Sequence, residues 1–220
     1  MENPNNRIIA VGRLDGELEL SHEVMNEPFY TGTLLVKRLS GAVDRIPVTI
    51  PGKLLAVAEP DYEHLMLMTG QVRSYNKVVE GAGRLLITGF AQRLCDPDTE
   101  ENPNQVQLTG ALCKPPSYRT TPFGREIADL MLAVNRSFGK SDYIPCIAWG
   151  RTARYASTLQ VGDKLRIQGR FQSREYQKQM PDGAVISRIA YEVSISRLSC
   201  LKEEMPLPEA LSEGEATPLS

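Results

Sequence analysis

Histidine and tryptophan are nearly absent from this chain: 220 residues hold two of the first and one of the second. With only His22 and His64, far apart, neither metal ligation nor histidine-based hydrolysis has its material. Four cysteines, Cys95, Cys113, Cys146 and Cys200, form no CxxC and have no neighbouring histidine, so a zinc site or disulfide framework is not expected. They read as small buried hydrophobes in a reducing compartment. A Walker-type GxxxxGK is missing, no carboxylate pair or Ser/His/Asp set stands out, and Gly81-Ala82-Gly83 suits a hairpin turn better than a phosphate loop. Together these absences predict a non-enzyme without cofactor or metal. No apolar run approaches the roughly 18 residues that a membrane span needs. The stretch Met1 to Asn6 has neither a basic nor an apolar segment of the signal-peptide kind, so a cytoplasmic protein with no membrane partner is expected.

What the chain does have is unevenly placed charge and a repeat. Residues 1–103 carry 10 Lys and Arg against 15 Asp and Glu (−5), residues 104–201 carry 14 against 7 (+7), and residues 202–220 carry 1 against 5 (−4). The small net charge of −2 therefore conceals one basic segment, the footprint of a polyanion binder.

The repeat has an offset of 98: Asn6 to Gly12 matches Asn104 to Gly110, Leu34 to Arg38 matches Leu132 to Arg136, Asp44 to Pro47 matches Asp142 to Pro145, and Gly52-Lys53 matches Gly150-Arg151. A one-residue shift then aligns Gly70 with Gly169 and Ser74 with Ser173, and five more align Arg93-Leu94 with Arg197-Leu198. Each copy has the length of a small domain. The expected layout is a first domain over 1–95, a polar linker over 96–103, a second domain over 104–201, and a disordered acidic tail over 202–220.

Within the second copy, alternation predicts strands near 104–112, 126–136, 142–149, 164–174 and 186–198, with a short helix over 151–159. An all-β chain of two tandem five-stranded barrels, each with its helix between the third and fourth strands, has the order of the OB-fold.

Two features carry chemistry. In the fourth strand of the second copy Lys164, Arg166, Gln168, Arg170, Gln172, Arg174 and Tyr176 take the even positions and Leu165, Ile167, Gly169 and Phe171 the odd ones, giving a cationic stripe that continues at Lys178. In the third strand Tyr143, Pro145, Ile147 and Trp149 share a face opposite Ile144, Cys146 and Ala148. Aromatics Phe138, Tyr143, Trp149 and Tyr176 are interleaved with Arg136, Arg151, Arg170 and Arg174. Unpaired bases need stacking surfaces and a phosphate backbone needs cations, so this interleaving suits a single strand of nucleic acid.

Asn104 to Gly110, Asn135-Arg136-Ser137-Phe138, Trp149-Gly150-Arg151, Gly162-Asp163 and Gly169-Arg170-Phe171-Gln172-Ser173-Arg174-Glu175-Tyr176 together resemble the bacterial single-stranded DNA-binding proteins. The resemblance implies base stacking on Phe138, Tyr143, Trp149 and Tyr176. It also implies sequence-independent binding of single-stranded DNA in replication, recombination or repair, in a bacterial, nucleoid-associated setting. The family assembles four OB-folds, so two per chain implies a homodimer. Its acidic tail and apolar tip recruit replication or repair proteins; here the end, Glu213 to Ser220, is acidic and lacks that tip. By the repeat register the first copy has Ser40, Arg45, Pro51 and Lys77 where the second has its four aromatics, so the first copy is expected to be mainly architectural, with weak phosphate contacts through Lys37, Arg38, Arg45 and Lys77. Two other readings stand beside this one: an OB-fold interaction scaffold such as a primosome component, and an RNA binder, since stacking does not distinguish the sugar.

Overall fold

Alternation of apolar and polar residues becomes strand almost everywhere it was expected, and the computed structural model describes residues 5–58, 62–79, 82–97, 104–180 and 183–201. The first copy runs β1 (Asn6–Leu14), β2 (Glu19–Val24), β3 (Glu27–Lys37), β4 (Val43–Pro51), α1 (Gly52–Ala58), β5 (Met66–Val79) and β6 (Ala82–Cys95). The second repeats it as β7 (Asn104–Leu112), β8 (Ser117–Thr120), β9 (Glu126–Asn135), β10 (Ser141–Trp149), α2 (Arg151–Ala156), β11 (Lys164–Gln179) and β12 (Val185–Cys200). In each copy the first strand also pairs with the β3 or β9 strand, which closes an OB-fold barrel with the helix between the third and fourth barrel strands.

Three details differ from the sequence-based expectation. A short strand, β2 or β8, is added to each barrel; every residue in both is exposed, so neither has the half-buried alternation by which a strand is recognised. The helix in the second copy stops at Ala156, before the expected Leu159. β11 extends to Gln179 as a long hairpin with β12. The linker residues 98–103 and the tail from Lys202 lie outside the described residues.

The inward face of each barrel is filled by large apolar side chains at matched positions: Ile8, Leu34, Ile46 and Met68 in one, Val106, Leu132, Ile144 and Ile167 in the other, all essentially buried. Each such side chain stabilises the fold by about 1.5–3 kcal/mol relative to exposure. The repeat extends to hydrogen bonds. Asn6 donates from Nδ2 to Val72 O (2.7 Å) and accepts Val72 N–H at Oδ1 (2.8 Å); Asn104 does the same with Phe171 (2.7 and 2.9 Å). Both long hairpins shift register at the same place, between Thr69 and Gly70 and between Gln168 and Gly169. A Cβ at Gly70 would lie 2.0 Å from Phe90 O, and one at Gly169 2.2 Å from Ser194 O, so only glycine lets the strands approach there.

The two barrels share one sheet of twelve strands in the order β2-β3-β4-β6-β5-β1-β7-β11-β12-β10-β9-β8, which reads as the same series from either end. β1 and β7 pair antiparallel with Ile8 opposite Val106, and these two are repeat equivalents, so a pseudo-two-fold axis passes between them. Symmetric polar pins lie on either side of it. Asp142, fully buried, accepts from Arg136 Nε (2.6 Å) in its own copy and from Ser74 N–H (2.6 Å) in the other. Asp44, fully buried, accepts from Arg38 Nε (2.7 Å) and from Ser173 N–H (3.0 Å). The serines answer: Ser74 Oγ accepts Tyr143 N–H and Ser173 Oγ accepts Arg45 N–H, both at 2.8 Å.

Candidate nucleic-acid interface

Pleat alternation on β10 turns Ile144, Cys146 and Ala148 into the core and leaves Tyr143, Pro145 and Trp149 facing outward, as their parity requires. Ile147 shares the outward parity and is nevertheless buried. Immediately after Trp149 the chain swings into α2 through Gly150 at φ +53°, a conformation that favours glycine, which places Arg151, exposed, at the start of the helix.

Trp149 lies in a cleft between the copies. Its walls include Arg125, Arg170, Gln172 and Arg174 from the second copy, and Arg38 and Val43 from the β3–β4 turn of the first. The stripe expected along β11 is therefore divided. Lys164 and Arg166 are exposed, whereas Arg170 and Arg174 are half-buried in the cleft. Arg174 donates from Nε to Glu192 (3.0 Å), and Gln172 Nε2 donates to the same carboxylate (2.9 Å). That bond, with the charge on Glu192, raises the Arg174 pKa above the ordinary guanidinium range against the opposing effect of burial. Glu192 comes from β12 and is the counter-ion that a reading of β11 by itself misses. Arg170 donates from its terminal nitrogen to Gln172 Oε1 (3.0 Å), while its buried Nε has no acceptor. Burial first, then the nearby Arg38, lower the Arg170 pKa, and Asp44 partly offsets them. The cleft thus brings the indole together with the guanidinium groups of Arg38, Arg125, Arg170 and Arg174, the unpaired Nε of Arg170 being itself buried.

The other expected platforms sit elsewhere. Tyr176 is 37% exposed on the β11–β12 hairpin, with the Arg174 guanidinium 5.8 Å from its ring centroid. Phe138 occupies the β9–β10 turn in a 3₁₀ segment, Ser137–Gly139, at φ +64° and 99% exposed. A phenylalanine held in the left-handed region costs on the order of 1–3 kcal/mol. The ring is fully open to solvent, as the expected stacking role requires. Tyr143, 48% exposed, lies at the far end of β10 from Trp149, about 20 Å away along an extended strand, and its backbone abuts Ser74 of the first copy. So the four aromatics do not form one cluster: Trp149 lines the cleft, Tyr176 lies on the hairpin, Phe138 stands on the β9–β10 turn, and Tyr143 adjoins β5 of the first copy through its backbone.

Of the remaining expected contacts, Arg136 is committed within the protein, to Asp142 and to Ser74 O (3.0 Å). The Lys178 side chain lies outside the described residues. In the first copy Arg38 is held by Asp44 and Arg45 is paired with Asp15, while Lys37 and Lys77 are exposed. Among the described residues no group of three His, Cys, Asp or Glu could hold a metal ion, and no helix is long and apolar enough to cross a membrane.

Residues 103–201 match the single-strand binding protein family. The single-stranded DNA-binding protein A of Bacillus subtilis is 35% identical over 96 residues, covering 40% of this chain and 56% of that protein. The single-stranded DNA-binding protein B of the same organism is 39% identical over 83 residues, covering 34% of this chain and 74% of that protein. The chain spans about half the length of the first curated relatives it matches. Across both copies, the fold is similar to the crystal structure of the wild-type single-stranded DNA binding protein from Thermus aquaticus, with a TM-score of 0.73 at 20% identity over 95% of this chain and 98% of that one.

Proposed function

The chain belongs to the single-strand binding protein family, and from that premise we propose that it binds single-stranded DNA without sequence preference and without catalysis, in bacterial replication, recombination or repair. The observation that carries the reading is the Trp149 cleft: the sole tryptophan, half-buried, in a cleft it shares with Arg38, Arg125, Arg170 and Arg174. An indole stacks on any base, and guanidinium groups meet the phosphates, so affinity comes from features that every sequence shares. Phe138, Tyr143 and Tyr176 extend the stacking surface, with Arg151, Lys164, Arg166 and Lys178 along the phosphate path. Arg136 contributes by holding the β9–β10 turn in place, and Arg174 by orienting Tyr176. Two chains would present four barrels as a homodimer. A cytoplasmic, nucleoid-associated location follows from the ligand, and the acidic tail is the segment available to replication or repair proteins.

The reading is tested by the anisotropy of labelled oligo-dT over a salt series, with the mass of the complexes measured by sedimentation. Single strands lose affinity with a log–log slope of about −0.7 per phosphate neutralised, so contacts by Arg151, Arg166 and Arg170 alone give about −2. Expected are that slope or a steeper one, weak competition by duplex DNA, and a particle of two chains. Equal competition by matched RNA would favour the RNA-binding reading, and no complex at low salt would favour the scaffold.

A further inference from the structure

Residues without any counterpart among the expected platforms form a row across the outward face of the first barrel. His22 on β2 stacks on Phe29 of β3, with ring centroids 5.0 Å apart and planes 7° apart. Phe29 is 6.0 Å from Phe90 of β6, and the Arg73 guanidinium of β5 lies 3.8 Å over the Phe90 ring. Alternation explains the shared face. Gly89 points among the core side chains Met68, Val48 and Ile8, so Phe90 points out. Leu34 and Val36 are buried, so Phe29 points out with the opposite parity; Val72 is buried, so Arg73 points out.

Strand register ties this row to the Trp149 cleft. Trp149 is opposite Ile127, and its neighbour on the same face, Ile147, is beside Ser194. At the repeat-equivalent positions Pro51 is opposite Phe29, and Thr49 is beside Phe90. Where the second copy has one large ring in the middle strand between small or aliphatic neighbours, the first has a proline in the middle and a phenylalanine on each side. The aromatic surface has moved by one strand in each direction and has not been lost. The cations follow the same exchange: the second copy pairs Arg170 with Gln172, and the first, with the order reversed, pairs Gln71 with Arg73, whose Nε and terminal nitrogen both donate to Gln71 Oε1 at 3.3 and 3.1 Å. The second copy comes up to this edge at Ser74, next to Arg73: the Arg136 guanidinium donates to Ser74 O and the Tyr143 backbone N–H donates to Ser74 Oγ.

We propose that the first copy carries its own stacking site for unpaired bases, built on His22, Phe29 and Phe90 with Arg73. This rests on the single-strand reading above and makes the first barrel a second binding surface, not only an architectural one. A strand long enough to leave the Trp149 cleft then continues across the first copy.

The test places a second reporter in the full chain. Phe90→Trp in a Trp149→Phe background reports the first copy, and the unaltered chain, through Trp149, reports the second; both are titrated with short and long oligo-dT. Quenching at position 90 by the long oligomer is the result expected. His22→Ala, a change on a fully exposed strand that leaves the barrels intact, should weaken the long oligomer about fivefold or more, the equivalent of one lost stack, and leave a short oligomer's quenching of Trp149 in place. If Trp149 is quenched while Trp at position 90 is unmoved at saturation and His22→Ala binds the long oligomer normally, the second site is refuted and the single-strand reading survives. If neither reporter moves and no complex forms, both fall.

Discussion

Asp142→Ala is expected to lower the free energy of unfolding by about 3–5 kcal/mol, the cost of removing one partner from a buried ion pair. Asp142 is fully buried and serves two copies at once: it neutralises Arg136 of its own barrel and accepts the Ser74 N–H of the other. Its removal leaves the Ser74 N–H without its acceptor and the Arg136 guanidinium with only Ser74 O, at the contact between the two copies. Asp44→Ala, at the equivalent position across the pseudo-two-fold axis, should cost a similar amount through Arg38 and Ser173. Asn at either position retains one oxygen for the backbone N–H but turns an NH2 toward the guanidinium in place of the second oxygen, so it should be milder than Ala and still lose the ion pair. Chemical denaturation followed by far-ultraviolet circular dichroism measures all four variants. An unchanged midpoint for Asp142→Ala would mean that the pins do not hold the copies together.

Much of this arrangement was legible in the repeat. The offset of 98, with its one-residue shift before Gly70 and the further five-residue shift before Arg93, anticipates both barrels; that the aligned Gly70 and Gly169 mark matched register shifts, where two backbones come too close for a Cβ, is visible only in the structure. Asp44 and Asp142 were visible as matching letters, but a carboxylate in a strand does not disclose that it will be buried or that its partner is a serine N–H in the other copy. β2 and β8 escaped notice because every side chain in them is exposed and hydrophobic periodicity has nothing to register. The stripe on β11 was read correctly as alternation and incompletely as charge: its counter-ion, Glu192, is 18 residues from Arg174 and meets it only across the hairpin. For the same reason, comparing the first copy with the second position by position finds Ser40, Arg45, Pro51 and Lys77 and no aromatics. Phe29 and Phe90 become neighbours only once β3, β4 and β6 are laid side by side.

The largest expected effect on binding belongs to Trp149→Ala. Stacking on a single aromatic contributes on the order of 1–3 kcal/mol per base, so affinity for short oligo-dT should fall by about 5- to 150-fold. The indole sits at the end of β10, where it does not fill the barrel core, so this loss should come with little change in the midpoint of unfolding. Trp149→Phe should recover part of it, because a smaller ring still offers a face. Arg170→Ala acts differently. It removes a charge beside the ring, so the affinity loss should be greatest at low salt and the log–log slope should become shallower by about 0.7. The two variants thus separate the base-stacking contribution from the phosphate contribution within one cleft.

The bases of the bound strand are expected to lie on the indole of this cleft, and because Trp149 is the only tryptophan its emission reports that contact without any label. Titration of the unaltered protein with oligo-dT, at low and at high salt, should quench the emission to a common end point and require more oligomer at high salt. Emission that stays constant while a complex forms would contradict the account, since the strand would then be bound elsewhere on the molecule.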